Sequence, residues 1–186
     1  IGVQNQPYMM YNLSDTSSVA KQFAQMGYQT TAIHPQPATN WNRESVYQEL
    51  GFDEFLDISD FDPDSEVIHA GMSDAVTYEK ILEVLQENEG PQFVFDVTMQ
   101  NHGGYDAFDM PEDTLVPHAA AGIDEATSAQ LTEYLALIEE SDRELEAFIE
   151  QLRALDRPVV LVFFGDHQPS MSPTLNDVLG YATGAE

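Results

Sequence analysis

The chain alternates between continuous apolar runs and apolar stripes with helical spacing. The clearest run is Val159-Val160-Leu161-Val162-Phe163-Phe164. A continuous run of that length is typical of a strand buried on both faces of a parallel sheet. Two less regular segments also favour strands: residues 28–33, which stop at His34-Pro35, and residues 92–99, which follow Gly90-Pro91. The pattern therefore predicts three strands, at about 28–33, 92–99 and 158–164.

Helical spacing fills the intervals between these strands. The longest predicted helix spans about 129–155, with one apolar stripe formed by Leu131, Leu135, Ile138, Leu145, Phe148, Ile149, Leu152 and Leu155. Ser73-Asp74 predicts the start of an earlier helix, which Gly90-Pro91 ends. Shorter helices are predicted from Thr16 to Gly27 and at about 44–50, and residues 106–126 are predicted to be a long irregular loop.

This alternation predicts an α/β fold with a mainly parallel central sheet flanked by helices. Three strands are few for such a sheet. We therefore expect the sheet to be incomplete and the 186 residues to form a single partial domain. Ile1 is not a natural start, so the sequence is expected to be a piece of a longer protein.

Charge narrows the range of partners. Six Lys and Arg residues stand against 33 Asp and Glu residues, for a formal net charge of -27. Such a chain repels nucleic acid, which we exclude as a partner, and it also repels anionic membrane surfaces at long range. The acidity indicates a solvated surface, with a high-salt setting as the alternative. The absence of cysteine excludes disulfides and thiol chemistry.

Polar side chains that could bind a ligand or take part in catalysis follow each predicted strand. Trp41 and Arg43 lie in the loop after the first strand, His102 follows the second, and Asp166-His167 follows the third. Because the carboxyl ends of parallel strands meet at one edge of a sheet, we expect these side chains to converge.

Each of these residues suits a particular task. Asp166 and His167 offer the mixed oxygen and nitrogen ligands that suit manganese or zinc, although a turn with a capping Asp is the alternative. Arg43 suits a bidentate grip on phosphate or sulfate. Trp41 either stacks on a glycerol or sugar face or anchors its loop. His102 either bonds a phosphoryl oxygen and protonates a leaving group or is a satisfied turn histidine.

The remaining histidines carry weaker signals. His34 either caps its strand or belongs to the site, and the sequence leaves both possibilities open. His69 and His118 lie in acidic or alanine-rich loops, and we expect them to be bystanders.

Four motifs resemble those of a known family. They are Trp41-Asn42-Arg43 followed by Tyr47 and residues 50–55, Gly71-Met-Ser-Asp74 opening a helix, Thr98-Met-Gln-Asn-His-Gly-Gly-Tyr105, and Phe164-Gly-Asp-His-Gln-Pro169. In this order they resemble the lipoteichoic acid synthase and phosphoglycerol transferase branch of the sulfatase-like alkaline phosphatase superfamily. The similarity runs from about Leu13 to Pro169.

The resemblance implies an extracytoplasmic enzyme, tethered to the bacterial membrane by helices outside this chain. Such an enzyme moves glycerol phosphate from phosphatidylglycerol, or a glycerol-phosphate polymer, through a phospho-threonine intermediate. It uses one divalent metal, expected to be Mn²⁺, with Zn²⁺ or Mg²⁺ as alternatives. By position, Asp166 and His167 match metal ligands, while Trp41, Arg43 and His102 match residues that hold the head group, His102 with a catalytic role.

Two departures qualify this expectation. Gln36 stands where the family loop often has an acid, which bears on head-group selectivity. The family's nucleophilic Thr and a metal-binding Glu belong to segments before Ile1, so we expect the chain alone to bind metal weakly and to be inactive. A sulfatase or another phosphodiesterase of the same superfamily, and a non-catalytic module that binds head groups or teichoic acid, remain as alternatives.

Overall fold

The computed structural model describes residues 6–105, 110, 114–118 and 121–180, which fall into two compact units. The first unit holds the described residues up to Glu66 together with Gly71–Met99. The second holds Val67–Ala70 and the described residues from Gln100 onward. Part of the predicted loop at 106–126 lies outside the described residues.

The helices and strands follow one another in a largely alternating order. The helices are α1 (Pro7–Met10), α2 (Val19–Gln25), α3 (Arg43–Glu49), α4 (Asp74–Glu87), α5 (Glu125–Arg153) and α6 (Ser172–Leu179). The strands are β1 (Gln29–Ile33), β2 (Glu54–Leu56), β3 (Val67–Ile68), β4 (Gly71–Met72) and β5 (Gln92–Asp96). Short 3-10 turns cover Asn40–Asn42 and Ile58–Asp60.

The first unit is built on a parallel sheet with strand order β2-β1-β5. β1 lies in the middle, and its residues from Thr30 to Ile33 are buried. At the carboxyl edge, Ile33 is in register with Leu56 of β2 and Asp96 of β5. The fold class predicted from the sequence, α/β with a mainly parallel sheet flanked by helices, is confirmed.

Alternate residues of β5 pack against helices on opposite faces of this sheet. Phe93 stacks on Phe23 of α2 with ring centroids 4.6 Å apart, and Phe95 lies 6.4 Å from Tyr47 of α3. Val94 packs on the other face in a cluster that includes Val84 of α4. Ser73 caps α4 by accepting a hydrogen bond from the Val76 amide, which confirms the predicted helix start.

The core of the second unit forms around α5. Its buried cluster joins Ala136 and Leu137 of α5 to Tyr105, Met110 and Met171. The predicted apolar stripe is partly wrong: Ile138 is 40% exposed, whereas Thr132, Glu133 and Ser141 are buried. The first half of α5 therefore turns a partly polar face inward. The sequence also missed α6. No helix of the described residues has both the length and the apolar character needed to cross a membrane.

The predicted terminal strand is wrong for the described residues. Residues 158–164 form no helix or strand, and Val160 and Val162 are 90% and 73% exposed. A strand exists only where a neighbour accepts and donates its backbone hydrogen bonds. None of the described strands pairs with this segment, so its apolar side chains face solvent.

Candidate active site

The loop after β1 carries the first group of candidate residues. His34, which directly follows β1, is 5% exposed, and its amide donates to the Leu56 carbonyl at 3.0 Å. This contact extends the β1–β2 pairing by one residue, as expected of a strand-ending histidine. Ala38 is fixed further along the loop, where its amide donates to Asp57 Oδ2 at 2.7 Å.

Trp41 is held in a strained and exposed position. Its φ and ψ are 57° and 23°, and Asn42 follows at 55° and 31°. Two successive residues other than glycine in the left-handed region are uncommon, and each costs on the order of 1–2 kcal/mol. The indole is 53% exposed, so burial of the ring does not offset this cost. Strain of this kind is characteristic of functional sites.

Arg43 begins α3 and lies partly buried. Burial lowers the pKa of its guanidinium, while the nearby phenols of Tyr47 and Tyr8 act in the opposite direction. Its one described hydrogen bond is long, from Nη1 to the Pro37 carbonyl at 3.4 Å. No carboxylate of the described residues lies within ion-pair distance of Arg43, although acids far outnumber cations in the chain.

His102 lies in the second unit, on an exposed turn that buried side chains hold in place. The Gln100 and Asn101 side-chain amides both donate to Ser141 Oγ of α5, at 3.3 and 2.7 Å. The buried Tyr105 hydroxyl donates to the Asn101 carbonyl at 2.9 Å. The exposed imidazole of His102 has one polar contact among the described residues, from Nδ1 to the Gly103 carbonyl at 3.3 Å.

Asp166 and His167 form a compact pair of donor groups. Asp166 Oδ1 accepts the His167 amide at 2.8 Å, and Asp166 Oδ2 lies 3.5 Å from His167 Nε2. His167 Nδ1 lies 3.0 Å from the Gln168 carbonyl. A carbonyl can only accept, so Nδ1 carries the proton and the Nε2 lone pair is directed away from it. The two side chains are 68% and 76% exposed.

This arrangement fits half of a metal centre. Metal-binding histidines commonly donate the other ring N–H to a carbonyl, as His167 does to Gln168. Asp166 Oδ2 adds an oxygen donor beside Nε2. No group of three or more metal-capable side chains occurs among the described residues, so these two supply only part of a coordination sphere.

His102 and the Asp166–His167 pair both belong to the second unit. The pKa of the Tyr105 hydroxyl is raised, first by burial and then by nearby groups that include Tyr134 and Asp166. Asp166 thus acts electrostatically on Tyr105, the residue whose hydroxyl supports the His102 turn. Met171 places the chain after His167 in the same hydrophobic cluster as Tyr105. Convergence of Trp41 and Arg43 with these residues stays a prediction, since they belong to the other unit.

Motifs and periodicity in the sequence did not indicate three ionisable residues that the structure buries. His69, expected to be a bystander, is buried with its Nε2 3.0 Å from the His102 carbonyl and its Nδ1 3.4 Å from Glu133. Asp96 ends β5 with a carboxyl whose pKa is raised to about 8, by burial and by the charge of Asp74. His69 stands two residues before the Gly71–Asp74 motif, which was the available signal. Glu133, Leu137 and Ser141 follow one another at four-residue intervals.

The α/β fold with its parallel sheet matches solved domains of the alkaline phosphatase superfamily. Residues 2–185 match the family model described as Sulfatase. The chain belongs to the Sulfatase family, within the lipoteichoic acid synthase and phosphoglycerol transferase branch of the alkaline phosphatase superfamily. The family resemblance drawn from the four motifs is thereby confirmed.

Three relatives illustrate this membership. The chain is 32% identical over 178 residues to a Rhizobium meliloti (strain 1021) protein named for cyclic beta-1,2-glucan modification, covering 96% of this chain and 27% of that protein. It is similar to the phosphoglycerol transferase GacH of Streptococcus pyogenes in complex with sn-glycerol-1-phosphate, at 34% identity and TM-score 0.67, covering 77% of this chain and 37% of that one. It is also similar to the lipoteichoic acid synthase LtaP of Listeria monocytogenes, at 25% identity and TM-score 0.65, covering 81% and 36%.

The chain thus spans about a quarter to somewhat over a third of the length of these relatives. The family is one of sulfatase-like enzymes of the transferase or hydrolase type.

Proposed function

We propose that this chain is part of an extracytoplasmic, metal-dependent phosphoglycerol transferase that acts on phosphatidylglycerol-type head groups through a phospho-threonine intermediate. The main support for this proposal is the environment of Arg43. Its guanidinium is partly buried, and no carboxylate of the described residues lies within ion-pair distance of it. An arginine of this kind in so acidic a chain suits a phosphate group, which its planar fork grips in a bidentate manner.

Trp41 supports the same assignment. Its exposed indole stands two residues before Arg43 and is held there at a cost in backbone energy. An aromatic face beside a guanidinium offers apolar contact to the carbon skeleton of glycerol phosphate while the guanidinium binds its charge. The GacH relative was solved with sn-glycerol-1-phosphate, a ligand of this chemistry.

His102, Asp166 and His167 supply the remaining functions in this proposal. The exposed imidazole of His102 bonds a phosphoryl oxygen or gives a proton to the departing oxygen. Asp166 and His167 would hold the divalent ion, with Mn²⁺ first and Zn²⁺ or Mg²⁺ as alternatives. A bound ion would supply positive charge that stabilises the reacting oxygens.

In such an enzyme, the nucleophilic threonine, a further metal-binding glutamate and the helices that tether it to the membrane would lie in polypeptide outside these 186 residues. The chain alone then binds the head group but does not turn it over.

Calorimetric titration of sn-glycerol-1-phosphate into the chain tests the head-group site. We expect Arg43→Lys to weaken binding about tenfold, because a bidentate contact becomes a point charge. Trp41→Gly should also weaken binding, yet leave the free energy of unfolding unchanged or raise it by up to about 1 kcal/mol, since glycine adopts positive φ without strain.

Arg153→Lys is the matched control for Arg43→Lys, because Arg153 ends α5 in an exposed ion pair with Glu150. Equal losses of binding in the two arginine variants would contradict the assignment of Arg43. Incubation of the chain with a fluorescent phosphatidylglycerol and Mn²⁺ should release no diacylglycerol. Turnover would show that the nucleophile lies within the 186 residues.

A further inference from the structure

His69 occupies an unusual position in the turn that follows β3. Its φ of 52° lies in the left-handed region, which is uncommon for residues other than glycine. The side chain is only 4% exposed, so the imidazole is enclosed in the second unit. A strained backbone and a buried ionisable ring both cost free energy of folding. The contacts of the ring indicate which part of the structure it supports.

Both ring nitrogens of His69 face acceptors. Nε2 lies 3.0 Å from the carbonyl oxygen of His102. Because a carbonyl can only accept, Nε2 carries a proton. Nδ1 lies 3.4 Å from Oε1 of Glu133, a residue of α5 that is fully buried.

The imidazole of His69 also packs against Tyr105, whose hydroxyl bonds the carbonyl of Asn101, the residue before His102. The imidazole of His69 lies parallel to the Tyr105 ring at 5.7 Å, with 7° between the planes. The Tyr105 hydroxyl donates to the carbonyl of Asn101 at 2.9 Å. Two successive carbonyls of the His102 turn are thus fixed by buried donors that are stacked on each other.

We propose that His69, supported by Glu133, is a positioning residue that sets the orientation of the His102 imidazole by fixing the backbone carbonyl of His102. The imidazole of His102 is exposed and has one described contact, with Gly103, so its direction depends on its backbone. Fixing the carbonyl fixes the direction in which Cα–Cβ of His102 points. This inference rests on the proposed role of His102 in binding or protonating the phosphoglycerol group.

Asparagine and glutamine at position 69 separate positioning from stability. Glutamine carries its amide N–H₂ about where Nε2 of histidine lies, so it still reaches the His102 carbonyl. Asparagine is one carbon shorter and reaches only the Glu133 side, but it tolerates positive φ better than glutamine. If His69 has a purely structural role, His69→Asn should therefore be the milder substitution. If His69 positions His102, His69→Gln should be the milder one.

The readout is nuclear magnetic resonance of the chain, combined with sn-glycerol-1-phosphate titration. We expect His69→Asn to shift the His102 carbonyl carbon resonance, to raise the mobility of the turn at 101–104 and to weaken binding about tenfold. His69→Gln should keep the carbonyl resonance near its original position and change binding by no more than about twofold. Thermal unfolding should rank His69→Asn at least as stable as His69→Gln.

Glu133→Gln provides a second variant. A glutamine amide can donate to Nδ1 and leave the contact between Nε2 and the His102 carbonyl intact, so the His102 carbonyl resonance should stay in place. His102 resonances that match the original in both position-69 variants, or that change equally in both, would overturn the proposal. So would binding losses that follow the order of thermal stability. Expected resonance changes in a chain that binds no glycerol phosphate would contradict the proposed function and leave the positioning role supported.

Discussion

Asp96 is a residue whose charge state is strongly affected by its surroundings. It ends β5 beside the buried Asp74 of α4, and its Oδ1 atom has no hydrogen-bond partner among the described residues. Burial raises the pKa of its carboxyl to about 8, with the charge of Asp74 adding to the effect and a hydrogen bond from Val97 opposing it. At neutral pH Asp96 is therefore mostly protonated.

A raised pKa in the folded state has a defined effect on stability. The ordinary pKa of the carboxyl is 3.8, so its contribution is fully present below about pH 4 and is lost as the pH rises to about 8. Each tenfold difference between the acidity constants of the folded and unfolded states corresponds to about 1.4 kcal/mol. We expect Asp96→Asn to raise the free energy of unfolding at pH 9 by roughly 2 kcal/mol or more, and to change it little at pH 4, as measured by urea denaturation.

Asp142→Asn is the control for this prediction, because Asp142 is exposed on α5. It removes the same charge without relieving burial, so its effect should be small at both pH values. The free energy of unfolding could instead fall by the same amount in the original chain and in Asp96→Asn between pH 4 and pH 9. That result would show that Asp96 is ionised throughout that range.

At the scale of elements, the segment at 158–164 shows how a strand depends on its neighbours. Its apolar run is longer and less interrupted than β5, yet β5 pairs with β1 and this segment pairs with none of the described strands. Phe163 and Phe164 are 65% and 66% exposed. A contiguous apolar surface of this kind favours self-association.

We expect the double substitution Val160→Thr and Val162→Thr to reduce self-association of the chain. Light scattering should detect its onset at a higher concentration, while the free energy of unfolding changes by no more than about 0.5 kcal/mol. Val67→Thr, at a residue 64% exposed in β3, controls for a general gain in solubility. A loss of several kcal/mol in the double variant would indicate that the segment packs as the buried strand predicted from the sequence.

Elements with local signals were predictable, and those that depend on distant partners were not. Ser73 caps α4 through an amide three residues away, so its sequence alone indicated the helix start. Glu133 and Ser141 of α5 are buried because His69, Gln100 and Asn101 bond them. Those partners lie far away in the sequence, and a periodicity of apolar residues does not detect them.

The candidate site divides in the same way. Trp41, Arg43, His102, Asp166 and His167 were identifiable because each stands in a short motif. His69 acts on the backbone of another residue and has no motif that indicates this contact. The exposure and left-handed backbone of Trp41 also come only from the folded loop.

At the scale of the whole molecule, the charge of -27 dominates. Three of the six cations are engaged in helical ion pairs, Lys80 with Glu83, Arg143 with Glu139 and Glu140, and Arg153 with Glu150. Exposed pairs of this kind contribute at most about 1 kcal/mol each. Most of the acidic side chains therefore repel one another without compensation.

Salt should stabilise such a chain. We expect the Tm to rise by about 5 °C or more between roughly 0.05 and 1 M NaCl, because the Debye length falls from above 10 Å to about 3 Å and screens the repulsion. Sucrose at matched osmolality separates screening from general exclusion effects, since it carries no charge. A Tm that is unchanged or lower in salt would show that self-repulsion does not limit stability.

The backbone geometry at Trp41 has one practical consequence. Trp41 is the chain's single tryptophan, and it stands exposed in the loop that precedes Arg43. Its fluorescence therefore arises from one place, with no background from the core of either unit. Emission from an indole in water shifts to shorter wavelength when a ligand covers it, so the protein carries its own optical sensor at the position where the head group is proposed to bind.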